Sequence, residues 1–170
     1  MKKYKLTGNT KEYDNKTLYQ IQALKDFGGV KAGDLGGWIE KESNLSQEGD
    51  CWVYDNAYVF DYAQVNCCAK VNSNARIFDR AYIGDDAVIT DDAHIYNDAM
   101  VFGNSKISGD TNVFCNASLS GDYNYSAGSF LGGNDSEDAT FTNIADKAGI
   151  RHWKSQYVYG EYKIEPLDTV

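Results

Sequence analysis

The sequence predicts an all-β chain wound as a three-sided solenoid of about four to five coils, closed at its start by a β cap. Three observations carry this. An aliphatic residue recurs every sixth position from Val53 through Val59, Val65, Val71, Ile77, Ile83, Ile89, Ile95, Val101, Ile107 and Val113 to Leu119. Four residues after each of the first eleven comes a small side chain, from Ala57 and Ala63 to Ser105, Thr111 and Ala117, and only Tyr123 breaks the rule. The two positions between read as corners, with Gly, Asn or Asp in eighteen of twenty-four places. A fixed period of this kind marks a repeat architecture and outranks any helix or strand signal.

The period of six follows from a short strand and a turn repeated. In a strand, the neighbours of an inward residue point outward. Asp, Asn and Gly supply the left-handed backbone, or bond their own main chain, where the direction changes. A second period counts the sides. Phe60, Phe78, Tyr96 and Phe114 lie directly after inward aliphatics and are eighteen residues, or three hexads, apart. The prism therefore has three sides, and one of them carries an aromatic column.

Aliphatic, then small four residues on, resembles the hexapeptide repeat of left-handed parallel β-helices. The resemblance implies a triangular prism wound left-handed, against the usual right-handed crossover. The stretch Ala32-Gly33-Asp34-Leu35-Gly36-Gly37-Trp38-Ile39-Glu40 through Asn44-Leu45, running into Cys51-Trp52-Val53-Tyr54, is similar to a narrower group, bacterial and phage proteins of the YdcK type labelled acyltransferases. That likeness extends over roughly residues 18–122.

Taken in order, residues 1–50 form a hairpin and a degenerate capping coil. Lys3 to Leu6 and Thr17 to Leu24 are strand candidates, with turns at Gly8-Asn9-Thr10 and Asp14-Asn15-Lys16. Gly33 to Gly37 reads as a loop. Leu35, eighteen residues before Val53, falls in the aliphatic phase, and Ile39 and Leu45 fall in the small phase. A solenoid needs such a cap because an open end exposes backbone groups and core. Residues 51–122 are the regular helix. In residues 123–170 Tyr125 and Leu131 keep the six-residue phase, Gly132 to Asp138 is a polar loop, and Trp153, Tyr157, Tyr159 and Tyr162 mark an aromatic strand that covers another surface.

Composition narrows the function. A formal charge of −9 argues against direct nucleic-acid binding, although many of the carboxylates are corner residues. There is no run of eighteen apolar residues to span a membrane. The basic N-terminus lacks the apolar segment of a secretory signal, so the expected location is the cytoplasm. Of four cysteines, Cys51 occupies an inward small position, while Cys67, Cys68 and Cys115 lie at corners. They make no disulfide scaffold, and a metal there would need further ligands converging at the corner, to which neither histidine is near in sequence.

The side with Val59, Ile77, Ile95 and Val113 inward presents two outward columns. One is Tyr58, Arg76, His94 and Asn112; the other is Phe60, Phe78, Tyr96 and Phe114. Aromatics and Arg are enriched at interface hot spots. The expected function is a rigid, non-enzymatic binding or assembly protein without cofactor. It would meet a protein partner, or another copy as dimer or trimer, through this face. One specific form is a phage-type inhibitor of a host defence or nucleic-acid-handling protein, its acidic corners opposing a basic surface. The family resemblance implies the alternative, a trimeric acyltransferase with an acyl-coenzyme A donor and His94 or His152 as general base. Against it, no loop excursion interrupts residues 51–122, where such enzymes complete a neighbouring site.

Overall fold

The computed structural model describes residues 1–122, 124–132, 140–141, 153–158 and 161–166, the side chains from 131 onward excepted. Three parallel stacks of short rungs form the sides of the prism. The first side stacks Tyr58–Val59, Arg76–Ile77, His94–Ile95, Asn112–Cys115 and Ser129–Gly132. The second stacks Trp52–Val53, Lys70–Val71, Val88–Ile89, Lys106–Ile107 and Asn124–Tyr125, and the third runs from Gln64–Val65 to Ser118–Leu119. Partner rungs such as Ile77 and Ile95 are eighteen residues apart, as the aromatic period requires. Each rung donates to the coil that follows: Tyr58 N–H reaches the Ala75 carbonyl at 2.9 Å and Phe60 N–H that of Ile77 at 3.0 Å.

The twelve aliphatics and the eleven small residues after them are buried, forming a core that runs the length of the prism. Ser105 and Thr111 keep their place in it by bonding backbone; the Thr111 hydroxyl donates to the Ser108 carbonyl at 2.6 Å. This satisfies a polar group that would otherwise be costly to bury.

The corners are more specific than the composition suggests. The first corner residue of all twelve hexads, from Asp55 to Gly121, has positive φ, and the second never does. Cys67, Ser73 and Cys115 also take this conformation, which disfavours residues other than Gly, Asn and Asp. Asp and Asn serve there a second time. Asp79 accepts the backbone N–H of Asn97 at 3.0 Å, Asp85 that of Gly103 at 3.0 Å, and Asp91 that of Gly109 at 2.9 Å. Each carboxylate holds the corner one coil further on.

The head of the prism corrects several expectations. β1 (Tyr4–Tyr13) runs straight through Gly8-Asn9-Thr10, with a register shift between Leu6 and Thr10 in place of a turn. The turn is Asp14-Asn15, both at positive φ, which suits a tight hairpin to β2 (Lys16–Ala23). Residues expected as loop form β3 (Leu35–Ile39), antiparallel to β2 and parallel to the Tyr58–Val59 rung. Ile39 pairs with Val59 and Leu45 with Val65, so both belong to the aliphatic column, not to the small one. Leu35 leaves that column and is 54 % exposed. The cause is a step of eight residues from Leu45 to Val53 where the repeat has six.

The two extra residues have a visible use. The loop holds Lys3, which is 1 % exposed. Its ammonium donates to the carbonyls of Glu48 and Gly49, both at 3.3 Å, and of Cys51 at 2.9 Å. Trp52 is buried beneath Tyr4 and Phe27, edge to face at 6.0 and 5.3 Å.

At the far end, Tyr125 continues the core as expected, but Phe130, not Leu131, pairs with Val113 and is buried. One residue fewer in that coil shifts the phase. The aromatic segment forms two strands, Trp153–Val158 and Glu161–Pro166, antiparallel to each other and joined by Thr140–Phe141. Residues 133–139, including most of the polar loop, lie outside the described residues, as does Tyr159.

Candidate functional site: the aromatic face

The first side presents the expected columns. Phe60, Phe78, Tyr96 and Phe114 stack ring on ring, with centroids 5.2, 5.0 and 5.2 Å apart and planes within 6°. Rung spacing sets this separation, since side chains in register must repeat at the interval of the backbone, roughly 4.7–4.9 Å. Each contact adds about 0.5–1.5 kcal/mol beyond area burial.

The N-terminal hairpin covers one end of the column. Tyr13 packs edge-on against Tyr58 at 5.0 Å and Phe60 at 5.6 Å, leaving Phe60 2 % exposed. Lys16, just past the turn, fastens the tip by an ion pair to Asp61 at 2.7 Å. Phe78, Tyr96 and Phe114 stay partly open. The column is thus covered at Phe60 and partly exposed from Phe78 to Phe114.

The second column begins one rung earlier than expected, at Trp38, the partner of Tyr58. Lys11 lies over Trp38 at 4.5 Å and over Tyr58 at 5.2 Å. Arg76 lies over Tyr13 at 4.9 Å and over Tyr58 at 5.8 Å. Cations and rings of β1 and of the column therefore interleave at this end of the face. Sequence reasoning missed Lys11, Tyr13 and Trp38 at this face. A signal was available in the strand alternation that puts Lys11 and Tyr13 on one side of β1.

His94 follows Arg76 in register, with Asn112 next. Burial pushes its pKa below the ordinary 6.5, and the neighbouring Arg76 charge adds to the shift; Asp92 and Asp110 oppose it. Among the described residues its imidazole accepts and donates no hydrogen bond. His152 lies outside the described residues.

Beside the column, the corner forms an open groove of about 750 Å³ lined by Asp61, Asp79, Asn97 and Cys115 and flanked by Tyr62, Arg80, Asp98 and Asn116. Its charges are largely matched from within. Arg80 grips Asp98 with two bonds of 2.6 and 2.8 Å, and Asp79 is engaged by Asn97. No helix of the described residues is long and apolar enough to cross a membrane.

No family model matches the chain. A protein of Escherichia coli named "Uncharacterized acetyltransferase YdcK" is 43 % identical over 63 residues, 32 % of this chain and 19 % of that protein. The match thus spans about a fifth of that relative's length. Over that stretch the chain is similar to YdcK, and its solenoid of hexapeptide repeats agrees with the likeness.

Proposed function

We infer that the protein is a rigid binding module whose partly open aromatic column, Phe78 to Phe114, engages a protein partner in the cytoplasm. The observation that supports it most is the coplanar stack itself. It offers flat apolar area on side chains that are already ordered, so little conformational entropy is lost on binding. The hairpin tip bounds this surface at Phe60. Acidic corners need no basic partner to account for them, because Asp79, Asp85 and Asp91 hold the next coil.

The test is retrieval of partners by the wild type and by Phe78→Ala and Tyr96→Ala variants, after light scattering has fixed the oligomeric state. Loss of the same protein from both variants is the expected result. Identical retrieval by all three would exclude this face.

A second reading, acetyl transfer, is favoured by the likeness to YdcK. It would use His94 as general base, and burial holds that ring neutral enough to accept a proton. Acetyl-coenzyme A binding by calorimetry checks it. Saturable binding lost in His94→Ala would favour the enzyme over the binding module, and no heat at millimolar ligand would exclude it.

A further inference from the structure

Arg76 and Arg80 are close in sequence and differ in circumstance. Arg80 is locked on Asp98. Arg76 has no carboxylate within ion-pair reach among the described residues, and is held by ring faces instead. A cation–ring contact uses no hydrogen-bond donor, so the guanidinium N–H groups of Arg76 remain for a planar acceptor. His94 is its direct partner on the next rung. Two residues further along each coil, just past the inward Ile77 and Ile95, lies the apolar floor of Phe78 and Tyr96. A positioned fork of donors, a titratable ring one rung on and a flat apolar surface match an oxyanion carried on an apolar group.

We propose that Arg76 and His94 form a carboxylate-binding site, taking an acidic side chain or chain terminus of the partner whose neighbouring apolar side chain lies on Phe78 and Tyr96. This rests on the face being a binding surface. The charged groups around His94 are Arg76 on the adjoining rung and Asp92 and Asp110 at the flanking corners. A bound carboxylate adds a negative charge beside the imidazole and favours its protonated form. Binding therefore tightens as pH falls through the His94 titration.

The experiment follows the His94 imidazole by NMR, with His94→Gln identifying its signal, since the chain has two histidines. Phenylacetate, phenyl phosphate and the neutral phenylacetamide are titrated in turn at pH 6 and pH 8. Phenylacetate is expected to shift the signal saturably, at least threefold more tightly at pH 6, and to move the His94 midpoint upward. Arg76→Met should weaken it at least fivefold and Arg76→Lys less. Equal binding of phenylacetamide, or no shift with phenylacetate, overturns the site. Tighter binding of phenyl phosphate overturns the choice of carboxylate over phosphate. The two readings fail separately. If Phe78→Ala abolishes partner retrieval but phenylacetate does not bind, only the carboxylate site falls. If phenylacetate binds but Phe78→Ala and Arg76→Met retrieve the wild-type set, the protein-binding face falls with the partner assignment.

Discussion

Asp79 accepts two hydrogen bonds from Asn97, one residue directly above the other in the same corner: the backbone N–H at 3.0 Å and the side-chain amide at 2.9 Å. Asn97 passes the arrangement on, its amide oxygen accepting the N–H of Cys115 at 3.2 Å. At the head of the same corner Glu40 accepts the N–H of Asp61 at 2.6 Å.

Asp79→Ala removes those acceptors and puts a β-carbon with no local hydrogen bond into a left-handed site. The expected loss is about 1–3 kcal/mol, read as a lower midpoint in urea at unchanged slope. Asp79→Asn keeps the geometry and should lose less than half as much. Equal losses would show that the side-chain bonds contribute little.

Gly36 has ordinary φ, and its requirement is closeness. A β-carbon there would meet the Val53 carbonyl oxygen at 2.6 Å, and Ile21 and Trp52 side-chain carbons at 2.7 Å. Gly36→Ala should cost about 2–3 kcal/mol or more. Trp52 lies at that contact, so its fluorescence should report the disturbance. A variant with wild-type stability and emission would mean that the cap yields freely.

Tyr13→Ala detaches the hairpin tip from Tyr58 and Phe60. Stability should fall by about 1–3 kcal/mol, and amide exchange should quicken at Lys11 to Lys16 but not at Val113. Uniform quickening would instead make the tip part of the global unfolding unit.

His94 sets a pH dependence whose sign is fixed by its depressed pKa. The unfolded chain takes up a proton near 6.5, the folded chain only at lower pH. The contribution of the neutral, partly buried ring is thus complete above 6.5 and is lost as pH falls through the folded value. In denaturation series from pH 8 to pH 5, His94→Gln should lose less stability than the wild type. Parallel curves would refute the shift.

The regular coils were legible because one short rule repeats without exception from Val53 to Leu119, and burial obeys it residue by residue. The breaks were not legible, for a definite reason. Phase counting assumes constant coil length. The longer step between Leu45 and Val53 moved Ile39 and Leu45 into the other column, and the shorter last coil replaced Leu131 by Phe130. The face itself followed from the eighteen-residue period. Its covering by Tyr13 did not, because that contact joins residues forty-seven apart by no repeat. The corners showed a composition but not a division of labour. Asn, Asp and Gly fill both corner columns equally, and only backbone geometry tells which column turns left-handed.

The antiparallel join of β2 to β3 bears on how copies of this chain behave in a crowded solution. A bare first coil would present parallel rung edges at the same spacing as the coils beneath it, and the tail of another copy could add there, end on end, into a filament. β2 occupies that edge on the first side, running the opposite way, and β1 lies outside it with a register shift in mid-strand. Around the corner, Lys3 takes up carbonyls of the Glu48–Cys51 stretch. The first fifty residues thus act as a terminator as well as a lid, and keep a self-complementary repeat from polymerising through its head.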